Sequence, residues 1–328
     1  MPNQGVVAVG IWCVDISYKI NIWPEQGKLA LINKKINGVG GGPSNVLTNL
    51  NYLGFNYPKI GLGCLGDDDN AKIIKKHCKK NNIITNYFSE LNTIETSYTL
   101  CMSEEGKERT FFHYPGANNH LDIEYLPIDK LGKNSPKILY IGYLTLLGKL
   151  DLFNKTNKTK LVQLLKQSHH LGMLNCLDLV SNSHKLFSSI VTSALPYCDY
   201  LLLNEIEAEQ ATKIKIRDHK NKIDKTQAEK VALNLIRKGV KRAVILHTPE
   251  YALWVDTKGY MIWTKSIKIK KSEIKSTIGA GDAFCAACIY GIHENWESTK
   301  ILKKAHGAAR AILKTESSSG SIPHINKL

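Results

Sequence analysis

Residues 276–284 read Ser-Thr-Ile-Gly-Ala-Gly-Asp-Ala-Phe and lead into an uncharged segment, 283–292, that predicts a buried helix. Gly279, Ala280 and Gly281 carry almost no side chain, so their N–H groups can converge on an anion at the helix N-terminus. Asp282 would hold a carboxylate beside that anion, where it could accept a proton from a hydroxyl that attacks phosphorus. A glycine turn followed by an Asp that merely favours the helix dipole would have the same sequence, so these residues alone leave both interpretations open.

The chain on either side of this stretch alternates between short apolar segments and amphipathic ones. Apolar segments typical of buried strands lie at residues 6–9, 60–65, 137–143, 174–179, 200–203 and 242–246. Segments with helical periodicity lie at residues 43–53, 67–81 and 160–171. This alternation predicts an α/β fold, with a doubly wound, mostly parallel sheet flanked by helices.

Two regions interrupt the alternation. Residues 11–39 predict a pair of short strands, and residues 97–114 alternate like a hairpin around a turn at 103–106. Together they could form a small β lid over the carboxyl ends of the main strands, where open α/β sheets bind ligands. We therefore expect one domain over residues 1–328, with lid insertions at about 11–39 and 97–118 and the remainder as the α/β body.

The charge balance raises the possibility of a nucleic-acid partner. The 328 residues include 44 Lys and Arg against 29 Asp and Glu, which gives a net charge of +15. Only five of the 44 are Arg, and specific readout of phosphates and bases depends on the planar fork of arginine. Because the lysines are spread along the chain, the sequence favours a solvated surface over a nucleic-acid groove.

The remaining composition predicts a globular protein that stays in the cytoplasm. No apolar run reaches the roughly 18 to 20 residues that cross a bilayer, and residues 1–4 lack the basic start of a secretory leader. The eight cysteines are expected to be reduced core residues. Cys285 and Cys288 have the spacing of a redox or zinc motif, but no second pair accompanies them, so we expect no metal cage.

Four motifs, in order along the chain, resemble those of the ribokinase (PfkB) family of carbohydrate kinases. Residues 277–284 are similar to the family signature DTxGAGDxF, and residues 40–45 (Gly-Gly-Gly-Pro-Ser-Asn) to its second signature, GGxxxN. Between them, residues 66–68 (Gly-Asp-Asp) resemble a family turn and residues 204–207 (Asn-Glu-Ile-Glu) match its NxxE motif. Each motif is weak alone, but the four together extend the resemblance over about residues 6–323.

The resemblance implies a role for each matching residue. Asp282 would be the catalytic base, and the N–H groups of Gly279, Ala280 and Gly281 would stabilise charge on the transferring phosphoryl group. The residues implied to contact the sugar are Asp15, Gly40, Gly41 and Asn45. Independently of the resemblance, Asn118 in the predicted lid could close over the substrate. The residues implied to contact the nucleotide are Asn204, Thr277, His247 and His306. Glu207 would position Mg²⁺ through water.

Some of these residues also have simpler structural interpretations, and some depart from the family pattern. Asn45 could cap its own helix, and Asp15 could anchor a turn. The usual family Asp before Thr277, which often helps to bind a monovalent cation, is Ser276 here, so activation by potassium stays open. His247 and Glu250 replace glycines of the family's adenine-side turn, which predicts a differently shaped base pocket.

The resemblance thus implies a ribokinase-like fold and an ATP- and Mg²⁺-dependent transfer of the γ-phosphoryl group to a hydroxyl of a small sugar. Aromatic residues of the lid, such as Phe112 and Tyr114, could pack its own sheet or the lid of a second copy in a homodimer. One alternative is a nucleoside kinase, whose base pocket Trp12, Tyr98 and Phe111 could form. Another is a catalytically silent sugar-binding regulator, although such a protein would not need a base beside a phosphate site.

Overall fold

The computed structural model describes residues 3–107, 109–134 and 136–328. Met1 and Pro2, which belong to the predicted non-secretory N-terminus, and Glu108, within the predicted hairpin, lie outside the described residues, as does Ser135. The strands are β1 (Val6–Gly10), β2 (Cys13–Ile20), β3 (Ile32–Gly40), β4 (Lys59–Leu62), β5 (Cys64–Gly66), β6 (Ile83–Ile84), β7 (Ser89–Leu91), β8 (Tyr98–Glu104), β9 (Thr110–Tyr114), β10 (Ile138–Leu144), β11 (Leu174–Leu179), β12 (Tyr200–Asn204), β13 (Ala243–His247), β14 (Tyr251–Asp256) and β15 (Met261–Lys265). The α-helices are α1 (Gly42–Tyr52), α2 (Asp69–Lys80), α3 (Leu161–His170), α4 (Phe187–Ala194), α5 (Glu205–Thr212), α6 (Lys225–Arg237), α7 (Ala280–His293) and α8 (Ser298–Leu313).

A nine-stranded sheet forms the body, in the order β15-β14-β13-β12-β11-β10-β1-β4-β6. The pairs from β13 through to β6 are parallel, and β14 and β15 add an antiparallel edge. Side chains of β1 alternate between two cores: Val7 and Val9 pack on one face, and Val6 and Ala8 on the other. Because both faces are covered, the inner strands are mostly apolar, which confirms the predicted sheet.

The first predicted strand after α1, at residues 60–65, is two strands in the structure. β4 ends at Leu62 and β5 starts at Cys64, and the two belong to different sheets. The interruption falls at Gly63, where a Cβ atom would lie 2.5 Å from the indole of Trp12. The buried Trp12 ring therefore needs a glycine at the point where the chain leaves the main sheet.

A second sheet, called the small sheet below, has the order β3-β2-β8-β9. β2 pairs antiparallel with β3 and parallel with β8, and β9 forms the outer edge on β8. Its strands come from the two segments that interrupt the α/β alternation. At eight and nine residues, β2 and β3 are longer than the short strands that the sequence predicted.

Two helices, α1 and α7, bring the two glycine motifs of the chain, residues 40–45 and 279–281, into one region of the fold. α1 begins directly after β3, α7 begins after Gly279, and the two helices pack against each other. Among residues 3–107, 109–134 and 136–328, none of the helices combines the length and the hydropathy of a membrane-spanning segment.

Candidate functional site

The N-terminus of α7 is shaped by Gly279, which has a left-handed backbone with φ of 78°. A Cβ atom at this position would lie 1.8 Å from the main-chain oxygen of Ser318. Only glycine fits both the conformation and the close approach. Since the first N–H groups of a helix have no partner within it, those of α7 are available to an anion at this end.

Asp282 lies in the first turn of α7 and is buried, with 6% of its surface exposed. The Tyr143 hydroxyl lies 2.9 Å from each of its two carboxylate oxygens, and the Asn45 side chain donates to Oδ2 at 2.9 Å. Burial raises the pKa of Asp282 to about 6, while the bonds from Tyr143 and Asn45 lower it and the charge of Asp15 raises it further. The carboxylate is therefore a base that is ionised at neutral pH.

Asn45 joins three parts of the chain at this point. Its Nδ2 group donates to Asp282, and its Oδ1 atom accepts from the Ser318 hydroxyl at 3.3 Å. The N-cap of α1 is Gly41 and no side chain caps this helix, so the helix-capping interpretation of Asn45 does not describe this structure.

A cavity of about 230 Å³ lies at the carboxyl ends of β10 to β13 and is called the strand-end cavity. It brings together Asp282, Gly279 and Gly281 with Asn204, Glu207 and His247. Tyr143 and Asp178 also line it. Parallel strands end at one edge of a sheet, which explains how residues so distant in sequence meet here.

Glu207 and Asn204 form a reciprocal cap on α5. The Asn204 side chain accepts from the Glu207 N–H at 2.9 Å, and Glu207 Oε2 accepts from the Asn204 N–H at 2.9 Å. Burial raises the pKa of Glu207 to about 7, against the effect of bonds from Asn204 and Ser181. Within the described residues no group of three or more His, Cys, Asp or Glu side chains is arranged to hold a metal. The carboxylates of Glu207 and Asp178 suit Mg²⁺ that keeps most of its waters and arrives with phosphates.

His247 and His306 both pack on Phe284 but face different surroundings. The His247 ring lies 4.9 Å from the Phe284 ring, and burial lowers its pKa to about 4, with a smaller contribution from His306. His247 is therefore a neutral imidazole beside the glycines of α7. His306 is buried on α8, where its Nε2 lies 3.0 Å from the Thr264 hydroxyl, and it does not line the strand-end cavity.

A second cavity, of about 340 Å³, lies under the small sheet and is called the small-sheet cavity. Asp15 lines it from β2, and burial raises the pKa of this carboxyl, against hydrogen bonds from Cys13 and Thr99. Gly40 allows this placement, since a Cβ atom there would lie 2.1 Å from Asp15 Oδ2. Ser318 lines the same cavity and donates to Asn45, which donates in turn to Asp282 of the strand-end cavity. Two hydrogen bonds thus connect the two cavities.

The structure does not bring every predicted site residue to these cavities. Asn118 is buried, and its amide donates to the Trp12 carbonyl at 2.9 Å and accepts from the Trp12 N–H at 3.3 Å. Thr277 is exposed in the segment before Gly279. Gly41 has φ of 92° as the N-cap of α1, where a Cβ atom would lie 2.0 Å from the Ile11 carbonyl. Ser276 is buried, and its Oγ accepts from the Ile278 N–H at 3.1 Å.

Sequence reasoning missed Tyr143 and Asp178. Tyr143 lies near the end of β10, and Asp178, on β11, accepts from the Tyr140 hydroxyl at 2.7 Å. Burial, with the nearby Asp282 and Glu207, holds the pKa of Asp178 well above its usual range. A lone charged residue in an otherwise uncharged strand, close to its carboxyl end, is the sequence signal that could have identified Asp178.

Replacing Tyr143 with Phe is expected to move the acid limb of the pH profile of kcat/KM to higher pH, by about one unit. The hydroxyl stabilises the ionised form of Asp282, and a hydrogen bond to a charged group contributes about 1.5–3 kcal/mol, where 1.36 kcal/mol equals one pKa unit. The measurement is kcat/KM from pH 5 to 9 for both proteins. Tyr140→Phe, on the same strand, removes a bond to Asp178 instead and should leave the limb in place. An unshifted limb in Tyr143→Phe would contradict this role.

Comparison with known proteins gives the family. Residues 3–325 match the pfkB family of carbohydrate kinases. The adenosine kinase of Schizosaccharomyces pombe is 22% identical over 298 residues, which cover 87% of this chain and 82% of that protein. The 5-dehydro-2-deoxygluconokinase of Geobacillus thermodenitrificans is 21% identical over an alignment of 335 positions, gaps included, which covers 98% of this chain and 91% of that protein.

A solved structure gives the same fold. Arabidopsis thaliana ribokinase, complexed with ribose and ATP, matches with a TM-score of 0.80 at 20% identity, over 99% of this chain and 97% of that one. This likeness confirms the predicted ribokinase-like fold. Since the family match covers nearly the whole length, the chain belongs to the pfkB family of carbohydrate kinases.

Proposed function

We propose that this protein transfers the γ-phosphoryl group of ATP to a hydroxyl of a small carbohydrate. The observation that carries the proposal is the position of Asp282. Its buried carboxylate lies in the first turn of α7, beside an open helix N-terminus, where it lines the strand-end cavity. Hydrogen bonds through Asn45 connect it to Ser318, which lines the small-sheet cavity. Transfer of a phosphoryl group to a hydroxyl requires an anion site for the phosphates and a base for the hydroxyl proton. The N-terminus of α7 provides the first in this proposal, and Asp282, with a pKa of about 6, provides the second.

Each cavity receives one substrate in this proposal. The acceptor lies in the small-sheet cavity, where Asp15 accepts hydrogen bonds from its hydroxyls. The phosphates lie in the strand-end cavity, near Asn204 and His247, with the γ-phosphoryl group at the N–H groups of residues 279–281. Thr277 and His306 lie away from this cavity and stay predictions as nucleotide contacts. Gly41 and Asn118 act on the acceptor site indirectly, because they contact the main chain of Ile11 and Trp12, which leads into β2 and Asp15.

The chemical step divides between the helix N-terminus and the base. Asp282 accepts the proton of the acceptor hydroxyl as its oxygen bonds to the γ-phosphorus, and the bond from that phosphorus to the bridging oxygen of ADP breaks. The N–H groups stabilise the charge that gathers on the transferring oxygens. Glu207 and Asp178 would hold Mg²⁺ through water, and the ion supplies positive charge against the phosphates when bound.

The test is ADP release from Mg-ATP with a panel of pentoses, hexoses, sugar acids, phosphosugars and nucleosides. We expect turnover with one class of sugar. Nucleosides belong in the panel because adenosine kinases are among the relatives. Trp12, however, cannot line a base pocket, since it is fully buried and its indole N–H donates to the Leu62 carbonyl at 3.0 Å. ATP binding without turnover of any acceptor would favour the silent regulator.

We further propose that residues 1–328 form one kinase domain whose small sheet acts as the lid and joins two copies in a dimer. All five residues of β9 are exposed, including Phe111 and Phe112, each with 51% of its surface accessible, and exposed edge strands of this kind favour pairing. Sedimentation of a monomer at micromolar concentration would contradict the dimer.

The eight cysteines are buried and unpaired, which supports a reducing compartment such as the cytoplasm.

A further inference from the structure

The small-sheet cavity has a distinct charge arrangement. Among the described residues that line it, Arg109 is the one with a fixed positive charge, and the acidic ones are Asp15 and Glu316. Glu316 already pairs with Lys19, at 3.5 Å. Apart from this exposed ion pair, the charged groups that line the cavity are the Asp15 carboxylate and the Arg109 guanidinium.

Asp15 and Arg109 both lie near Cys101, in the middle of the small sheet. Burial raises the pKa of the Cys101 thiol, and among the charges near it Arg109 lowers that pKa while Asp15 raises it. Cys101 lies on β8, between Ser17 of β2 and Phe111 of β9. The two charges thus lie within reach of one small molecule.

The Arg109 guanidinium has a single protein partner in the described part of the chain, the neutral Ser276 hydroxyl at 3.3 Å from Nη1. No described carboxylate forms an ion pair with it. By contrast, Arg217 bonds two carboxylates, Glu205 at 2.7 Å and Glu250 at 3.0 Å. A partly buried guanidinium without a counter-ion is costly unless a ligand supplies one, and its planar fork matches carboxylate and phosphate oxygens.

We propose that the acceptor carries an anionic group, a carboxylate or a phosphate, which Arg109 binds. Asp15 binds hydroxyls of the same molecule, and the hydroxyl to be phosphorylated faces Asp282. This inference rests on the proposed function and narrows its substrate class to acidic or phosphorylated sugars. The name of one relative, 5-dehydro-2-deoxygluconokinase, denotes a sugar acid as its substrate, which is consistent with the proposal.

An alternative role for Arg109 is to bind the phosphates of ATP, since its partner Ser276 lies three residues before Gly279. The two roles differ in the kinetic constant that Arg109 controls. A guanidinium on the acceptor affects KM for the acceptor and discriminates between charged and neutral acceptors. A guanidinium on the nucleotide affects KM for ATP, whichever acceptor is used.

The experiment compares matched neutral and anionic sugars: D-glucose with D-gluconate, D-ribose with D-ribose 5-phosphate, and D-fructose with D-fructose 6-phosphate. Thermal shift measures binding, and ADP release measures kcat and KM, for the wild type, Arg109→Gln and Arg109→Lys. Arg237→Gln, an exposed arginine on α6, is the matched control. The gluconate and phosphosugar members show which of the two anionic groups fits.

We expect the wild type to prefer an anionic member of a pair. Arg109→Gln should then raise KM for that acceptor by about 10- to 100-fold, as loss of charge-assisted hydrogen bonds implies, with KM for ATP unchanged. Arg109→Lys should restore part of this loss, because it keeps the charge without the fork. Three results would overturn the proposal. They are a preference for the neutral members, a rise in KM for ATP instead of KM for the acceptor, and no difference within any pair in either assay. Turnover of a neutral sugar would leave the proposed kinase function standing, whereas ATP binding without any turnover would count against both.

Discussion

Replacing Asp282 with Asn is expected to lower kcat by about 10²- to 10⁴-fold, the usual contribution of a general base. Asn keeps the shape of the side chain and can keep partners at Tyr143 and Asn45, but it cannot take the hydroxyl proton. We expect KM for ATP and for the acceptor to change little, since neither binding site loses a charged contact. Steady-state ADP release, with ligand binding measured separately, tests this.

The same variant should be at least as stable as the wild type at pH 7. The pKa of Asp282 rises from 3.8 to about 6 on folding, so the folded state holds a proton that the unfolded state releases between these values. Stability therefore falls as the pH rises through that window, and the loss persists above it. Asp151→Asn is the matched control, because burial also raises the pKa of Asp151, to about 7, outside both cavities. Equal kcat losses in the two variants would refute the base assignment.

Replacing Gly279 with Ala is expected to lower kcat by about 10²- to 10³-fold, as loss of a preorganised N–H donor does, and to lower the melting temperature as well. An L-residue in the left-handed conformation costs about 1–2 kcal/mol. The added Cβ would also collide with the Ser318 carbonyl, 1.8 Å away, so the segment must shift. Differential scanning calorimetry and ADP release measure the two effects.

Gly281 provides the matched control for stability. It lies two residues further on, inside α7, and the nearest atom to an added Cβ is His247 Cε1 at 3.7 Å, an ordinary contact. Because Ala favours a helix over Gly by about 1 kcal/mol, Gly281→Ala should keep or raise the melting temperature. If Gly279→Ala had the same melting temperature as the wild type, the left-handed conformation of Gly279 would not be required for stability.

The sequence predicted those parts of the fold that depend on local patterns. Apolar runs such as residues 174–179 and 200–203 match β11 and β12 within one residue. β14 and β15, which extend the sheet antiparallel at its edge, were not predicted, and neither was the break at Gly63. The break depends on the distant indole of Trp12, and no local pattern reports such a contact.

The candidate site was predictable where its residues belong to the glycine motifs, as Asp282, Gly279 and Asn45 do. Tyr143 was missed because an aromatic residue at the end of an apolar strand has the pattern of a core residue; only tertiary structure brings its hydroxyl to Asp282. Asn118 shows the reverse case. A polar residue in the predicted lid suggested a substrate contact, but its amide is occupied by the main chain of Trp12. The catalytic and binding roles themselves stay predictions.

The contact of Ser318 with both Gly279 and Asn45 has a consequence for how the protein is made. Asn45 and Ser318 are 273 residues apart, yet the hydroxyl of one orients the amide that holds Asp282. A ribosome delivers the chain from one end, so the main sheet is synthesised long before the segment that completes the pocket. Catalytic competence is therefore gained only after the segment that contains Ser318 has been synthesised. A premature stop just before Ser318 would yield a body with most of its core but no working pocket.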